Sequence, residues 1–294
     1  MRTSSRNPCV TPASTSARST RRRDDCVREV ALNRRLAPDV YLDAVALVRT
    51  ASGLFQLDGQ GDAVDWLVKM RRLPAARMLD RLIAARQVSQ GDIEALATRL
   101  VAFYAEAAPE PMAPEEYRNI LAARVDPNAL TAPRFGVDGT RLAELRTLQH
   151  AYLAERADVL DARGIAGRIV EGHGDLRPEH VCLLDEPRVI DCLEFRRDLR
   201  IVDPADELGY LALECERLGS AEIGPWLFAA YTRASGDAPE PALVHFYQGV
   251  RAVLRAKLAY EHLTTENAAT SRTGGRAGRI IWGGRRGMRR RRCF

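Results

Sequence analysis

Eight consecutive residues, HGDLRPEH, contain four side chains that bind protons or metal ions: His173, Asp175, Glu179 and His180. Such a set can bind a metal, transfer protons, or form a polar turn with only a structural role. Another aspartate, Asp191, follows sixteen residues after Asp175 in the stretch VIDCLEF. The spacing of the two aspartates therefore decides which chemistry is open to this segment.

The residues around both aspartates predict a strand, a loop and a hairpin. GRIVEG is typical of a strand before Asp175, and HVCLL and RVIDCLEF are typical of two strands joined by the turn DEP. Because a tight hairpin returns the chain beside its own start, we expect Asp175 and Asp191 to face one cleft. One carboxylate that accepts a hydroxyl proton, with a second that holds magnesium near phosphate oxygens, suits phosphoryl transfer.

These motifs resemble a known family. HGDLRPEH followed by VIDCLEF is similar to the catalytic segment of the aminoglycoside phosphotransferase-like proteins, which are relatives of the protein kinases and share the pattern H-G-D-x-x-x-x-N. CVREVALNRRLAP, MRRLP and HGDLRPEH together resemble a bacterial subgroup that is often fused to a C-terminal P-loop kinase domain. The resemblance covers roughly residues 24–265 and implies ATP, magnesium, a small-molecule hydroxyl substrate and a P-loop kinase domain as a candidate partner.

The resemblance also implies roles for single residues. Asp175 would be the catalytic base and Asp191 the magnesium ligand. His180 stands where the family has a metal-binding Asn, and because magnesium prefers oxygen ligands, its role is either metal binding or a hydrogen bond to the loop. His173 is a further candidate at the catalytic centre, and we favour a structural role in which it fixes the loop against the segment near Asp191.

Two more groups of residues are candidates for the site. In such families an acidic residue at the start of the next helix supports the catalytic loop, and in DPADELGYL either Asp203 or Glu207 could do so. Arg251 and Arg255 lie one turn apart on a predicted long helix. They either contact a substrate phosphate or, in the interpretation we favour, form part of a solvated face.

The nucleotide-binding part is predicted to be incomplete. Glu29 in CVREVALN is the candidate for the helix glutamate that orients a phosphate-binding lysine, but no glycine-bearing hairpin or strand lysine precedes it. Lys69 follows Gly59-Gln60-Gly61, a pattern that simple turn chemistry also explains. We therefore expect an N-terminally truncated lobe and weak or absent ATP turnover.

The predicted fold class is α+β, in a bilobal, protein-kinase-like arrangement with an incomplete N-lobe and a mainly helical C-lobe. Residues 1–23 and 271–294 are rich in Arg and predicted to be disordered tails. Residues 24–73 form the partial N-lobe and hinge, and residues 74–270 the C-lobe with its catalytic hairpin. DIEALATRLVAFYAEA carries one apolar helical stripe: Ile93, Leu96, Ala97, Leu100, Val101 and Tyr104.

Composition narrows the class of protein. The net charge of +5 includes fifteen arginines in the two terminal segments, so residues 24–270 carry about −10. A basic face on the folded part is therefore not expected, nor a specific nucleic-acid partner. No apolar run has the length of about 18 residues that a membrane span requires. The six scattered cysteines lack a C-x-x-C pair, which favours a reducing cytoplasm over a zinc or disulfide framework.

Two alternatives stay open. The missing lysine and glycine loop favour a non-catalytic, kinase-like binding module or a remnant. His173, Asp175 and His180 could instead bind a transition metal in a metal-dependent hydrolase, although a third imidazole is not evident nearby.

Overall fold

The computed structural model describes residues 12–125 and 139–272. The helices in these ranges are α1 (Pro12–Arg34), α2 (Leu79–Ala85), α3 (Gln90–Glu106), α4 (Pro114–Val125), α5 (Gly139–Glu155), α6 (Ala157–Ile165), α7 (Pro204–Arg217), α8 (Ile223–Ser235) and α9 (Pro241–Arg272). The strands are β1 (Tyr41–Arg49), β2 (Phe55–Leu57), β3 (Asp62–Met70), β4 (Val170–Glu171), β5 (Val181–Cys182), β6 (Arg188–Val189) and β7 (Ile201–Val202). The mixed helix and strand content predicted from the sequence is confirmed.

The first part of the chain is a small antiparallel sheet covered by one helix. Its strand order is β2-β1-β3, and the long β1–β3 pair runs from Tyr41 opposite Met70 to Arg49 opposite Asp62. Helix α1 packs on β1 and β3, and it buries Val30 there together with residues of the α1–β1 connection. This sheet places Tyr41 at the boundary with the second part of the chain.

The prediction of a disordered tail over 1–23 is wrong for residues 12–23, which form the first half of α1. The reason is tertiary contact with β3, which composition does not report. Arg22 lies 3.3 Å from Asp65, and the Arg23 guanidinium lies 5.4 Å from the centre of the Trp66 ring. Residues 1–11 lie outside the described residues, and so does the second predicted tail beyond residue 272, where α9 ends.

The second part is mainly helical. Helix α3 begins with a capping box in which the Ser89 hydroxyl accepts from the Asp92 amide and the Asp92 carboxylate accepts from the Ser89 amide. Its predicted apolar stripe is confirmed, because five of the six residues are buried and Val101 packs against the same core. That core lies between α3, α7 and α8, and a second core joins α4, α6 and α9.

Short strands connect the two cores and carry the loops with the aspartates. Strand β4 pairs with β7, and β5 pairs with β6, both antiparallel. β4 ends just before His173, and β6 ends just before Asp191. The predicted hairpin is present with shorter strands than expected. None of the helices in the described ranges combines the length and the apolar character needed to cross a bilayer.

Candidate functional site

The predicted approach of the two aspartates is present, and His180 lies between them. His180 belongs to a short 3-10 helix, Pro178–His180, that connects the Asp175 loop to β5. Its Nε2 lies 3.2 Å from Asp191 Oδ2, and its Nδ1 lies 3.7 Å from Asp175 Oδ2. The hairpin therefore brings the pair to opposite sides of one imidazole, and both carboxylates remain partly open to solvent.

His180 is neutral, because burial lowers the pKa of its imidazole to about 3. Its Nδ1 lies 2.8 Å from the Asp175 carbonyl oxygen, which can only accept, so Nδ1 carries the proton. Nε2 is then unprotonated; its lone pair accepts a hydrogen bond from a terminal nitrogen of Arg177 at 3.3 Å, and the atom also faces the Asp191 carboxylate. The Arg177 guanidinium therefore supplies the positive charge beside these two electron-rich groups.

His173 lies buried between the Asp175 loop and the segment before Asp191, and its structural role stays a prediction. The residue is 1% exposed, and burial lowers the pKa of its imidazole. Its Nε2 donates to the Ile190 carbonyl at 3.0 Å, and its Nδ1 accepts from the Asp175 amide at 3.3 Å. The ring therefore ties the Asp175 loop to the residue before Asp191.

Glu207 supports the loop from α7. Its carboxylate is fully buried and accepts from the His173 amide at 3.0 Å, from the Gly174 amide, and from the Tyr104 hydroxyl at 2.9 Å. Of the two acids predicted for this role, the other, Asp203, instead caps the start of α7 and pairs with Arg163. Glu207 is therefore the loop support.

Two glycines leave the room that this arrangement needs. A Cβ on Gly172 would lie 2.5 Å from Glu207 Oε2, so a side chain there would displace the carboxylate. Gly174 has a φ of +87°, which favours glycine, and a Cβ there would lie 2.9 Å from Leu193. The G-H-G spacing around His173 follows from the close packing of Glu207 and Leu193 on the loop.

The prediction of a solvated face at Arg251 is wrong. Arg251 is 7% exposed, its Nε and a terminal nitrogen bind both oxygens of Asp206 at 2.7 and 2.9 Å, and it donates to the Gly174 carbonyl at 3.1 Å. Arg255 is half-buried and lies 3.3 Å from Glu214. The partners lie on α7, far from α9 in sequence, so the helical pattern of α9 alone does not identify them.

Arg177 is a site residue that the sequence reasoning missed. It is 5% exposed, its Nε lies 3.2 Å from Asp175 Oδ1, and a terminal nitrogen lies 3.0 Å from Glu179. The Nε makes an ion pair without an aligned hydrogen bond, and it has no hydrogen-bond partner among the described atoms. The arginine within the motif HGDLRPEH was the available signal, whereas its burial is visible only in the structure.

Asp175 is ionised at neutral pH. Burial by itself raises the pKa of its carboxyl, but the pKa is lowered overall, and because His180 is neutral the lasting positive charge beside the carboxylate is the Arg177 guanidinium. The carboxylate is thus available to accept a hydrogen bond from a hydroxyl group. Its low basicity suits proton acceptance late in a transfer reaction rather than before it.

The two predicted cofactor-binding residues lie in the sheet part. Glu29 is half-buried on α1, one turn before Asn33, which contacts the backbone of Cys192. Lys69 is exposed on β3, opposite Asp43, while its neighbours Val68 and Met70 pack toward α1. Because side chains alternate along a strand, Lys69 points to the other face of the sheet. Its role, like that of Glu29, stays a prediction.

The residues fit a magnesium ion bound in part by nucleotide. Within the described ranges, no group of three or more His, Cys, Asp or Glu side chains is arranged to hold a metal. The hydrolase alternative, which requires such a group, is therefore without support in these ranges. Magnesium in kinases is commonly held by one or two carboxylates together with substrate phosphates, and the partly exposed Asp191 carboxylate is an oxygen donor of that kind.

Comparisons with known proteins give relatives without a described activity. No family model matches this chain. Uncharacterized proteins of Mycobacterium bovis and Mycobacterium tuberculosis are each 30% identical to it over 258 residues, which is 86% of this chain and 50% of the relative. The chain therefore spans about half the length of the curated relatives it matches.

One solved structure with a similar chain trace is a glucosamine kinase in complex with glucosamine, ADP and inorganic phosphate. It is 17% identical, with a TM-score of 0.42, over 75% of this chain and 63% of that chain. A likeness of this extent does not assign an activity or a fold family.

Proposed function

We propose that this chain carries the catalytic part of an ATP-dependent phosphotransferase, in a protein-kinase-like, aminoglycoside phosphotransferase-like arrangement, that acts on a hydroxyl of a small molecule. The observation that carries the proposal is the meeting of Asp175 and Asp191 at one buried, neutral imidazole. Phosphoryl transfer needs two such carboxylates in different roles, and the rest of its catalysis is positioning and charge neutralisation.

Asp191 is the proposed magnesium ligand. Its carboxylate is a hard oxygen donor, whereas the neutral His180 nitrogen is not the oxygen that magnesium prefers. When bound, the ion neutralises negative charge on the nucleotide phosphates. His180 then acts mainly through its hydrogen bond to the Asp175 carbonyl, which keeps the loop and Asp191 in one arrangement.

Asp175 is the proposed acceptor of the hydroxyl proton. Its carboxylate orients the hydroxyl by accepting a hydrogen bond, and the proton moves to it as the new bond to phosphorus forms. Arg177, whose Nε lies 3.2 Å from Asp175, supplies a fixed positive charge beside that carboxylate. Such a charge attracts a phosphate group and opposes the charge that builds up on it during transfer.

The partners of the whole protein belong to the same proposal. Because the relatives are about twice as long as the matched region, we infer that this site works beside a second domain, for which a P-loop kinase domain is the candidate. No specific nucleic-acid contact and no membrane contact are part of the proposal, and the site is proposed to act in the cytoplasm.

Calorimetric titration with ATP and magnesium tests the proposal. We expect wild-type protein to bind magnesium-ATP and Asp191→Asn to lose most of that affinity, because Asn removes the charge yet tolerates the same backbone conformation. Asp185→Asn is the matched control, since Asp185 is exposed at the other end of the same hairpin. Equal binding by Asp191→Asn would refute the metal assignment, and no binding by wild type would favour the non-catalytic alternative.

A further inference from the structure

Asp191 has an unusual backbone conformation that residues from the sheet part support. Its φ is +67°, in the left-handed region that few residues other than glycine adopt. Its amide donates to the Tyr41 hydroxyl at 3.0 Å, and the next amide, of Cys192, donates to the Asn33 side-chain oxygen at 2.9 Å. The two successive amides thus bind residues about 150 positions earlier in the chain.

Both supporting side chains are themselves fixed. Asn33 is 1% exposed, and its amide nitrogen donates to the Glu29 carbonyl at 2.9 Å, which directs its oxygen at Cys192. Tyr41 is 2% exposed and belongs to the core shared by α1 and β1. Neither side chain can turn away without breaking buried packing, so each holds its amide partner in one place.

Arg35 extends the same contact to the other aspartate loop. One of its terminal nitrogens donates to the Glu171 carbonyl at 2.9 Å, and the other donates to the Gly172 carbonyl at 3.0 Å, directly before His173. The guanidinium also lies 4.9 Å from the centre of the Phe103 ring. The end of α1 therefore touches the backbone that leads to each carboxylate.

We propose that Asn33 and Tyr41 are positioning residues that hold Asp191 in its left-handed conformation, with its carboxylate facing His180. A non-glycine residue in this region costs about 1 kcal/mol or more and persists only where surrounding contacts impose it. The hydrogen bonds to Asn33 and Tyr41 are such contacts. Release of either amide frees the backbone to return to the ordinary region, which turns the carboxylate away from the imidazole.

The inference deepens the proposed function, because Asp191 is the metal ligand in that proposal. It makes the metal site depend on where the end of α1 lies. Any ligand or partner that shifts α1 relative to the helical part would change metal affinity without touching Asp191 itself.

Amide hydrogen exchange followed by NMR tests directly, without any ligand, whether the Asp191 and Cys192 amides are held by these hydrogen bonds. We expect slow exchange at Asp191 and Cys192 in wild type, faster exchange at Asp191 in Tyr41→Phe, and faster exchange at Cys192 in Asn33→Ala. Tyr152→Phe is the matched control, because that hydroxyl bonds to Glu240, away from this contact. Unchanged exchange at Asp191 in Tyr41→Phe would overturn the inference, and Tyr41→Phe keeps the test valid if Asn33→Ala fails to fold.

Manganese binding in the presence of ATP, followed by electron paramagnetic resonance, tests the consequence. Loss of one supporting hydrogen bond predicts about 3- to 10-fold weaker manganese binding in Tyr41→Phe and no change in Tyr152→Phe. Equal binding in Tyr41→Phe would overturn the inference and leave the proposed function intact. If wild type binds no manganese, the proposed function fails, and the amide exchange alone then supports or overturns the positioning of Asp191 by Asn33 and Tyr41.

Discussion

The two aspartates of the site are held by different parts of the molecule. The Asp175 loop is fixed from the helical part, where Glu207 binds two loop amides and Arg251 binds the Gly174 carbonyl. The Asp191 segment is fixed from the sheet part, by Tyr41 and Asn33. The proposed acceptor of the proton and the proposed ligand of the metal therefore depend mainly on different contacts, although Arg35 also binds the backbone before the Asp175 loop.

Because the supports differ, the two aspartates can be disturbed separately. A change on the helical side affects the position of the Asp175 loop first, and a change on the sheet side affects Asp191 first. His180 lies against both aspartates, since its Nδ1 bonds to the Asp175 carbonyl and its Nε2 faces Asp191, and the His173 ring joins the same two segments. Substitutions on either side, and at His180, are therefore expected to affect the two aspartates to different extents.

The largest effect is expected for Asp175→Asn. Loss of the proton-accepting carboxylate should lower ATP-dependent phosphoryl transfer by roughly 10²- to 10⁴-fold, with magnesium-ATP affinity nearly unchanged. The transfer rate is measured by mass spectrometry of the phosphorylated product, and the affinity for magnesium-ATP is measured separately by calorimetry. A fall in ATP affinity as large as the fall in rate would show that Asp175 belongs with Asp191 in nucleotide binding.

The next effect is expected for Glu207→Gln, which removes the support from the helical side. An amide cannot accept as the carboxylate does from His173, Gly174 and Tyr104, so one buried donor loses its partner. The free energy of unfolding should fall by about 2 to 4 kcal/mol in denaturant titrations. Glu186→Gln, at a residue whose side chain is 81% exposed, is the control; an equal loss there would contradict the assignment.

The smallest effect is a dependence of stability on pH. Burial lowers the pKa of His180 from 6.5 to about 3, so the unfolded chain binds a proton that the folded chain does not. Stability is then complete above pH 6.5 and is lost as the pH falls toward 3, by about 2 kcal/mol at pH 5. His180→Asn should remove this part of the loss between pH 7 and 5. An unchanged slope in that variant would mean that His180 is protonated in the folded chain.

Parts of the fold were predictable because their patterns are local. The stripe on α3 follows from apolar spacing, and the approach of Asp175 and Asp191 follows from a hairpin. The start of α1 was not predictable, since it depends on contacts such as Arg22 with Asp65.

The residues that support the two aspartates also differ in whether the sequence could identify them. Glu207 was one of two candidates because the resemblance implies an acidic residue at the start of the helix after the hairpin, whereas Asn33 and Tyr41 carry no pattern that connects them to Asp191. Their partners are backbone amides, and any residue type supplies an amide. The pairing of Arg251 with Asp206 likewise depends on how α9 packs on α7.

Locating bound manganese by NMR in the presence of ATP tests directly whether Asp175 and Asp191 serve one metal-nucleotide site. A paramagnetic ion broadens the signals of nearby nuclei, and the site predicts broadening at Asp175, His180 and Asp191 together. The broadening should disappear in Asp191→Asn and persist in Asp185→Asn. Broadening elsewhere, with these three signals sharp, would contradict the account that both aspartates serve one metal-nucleotide site.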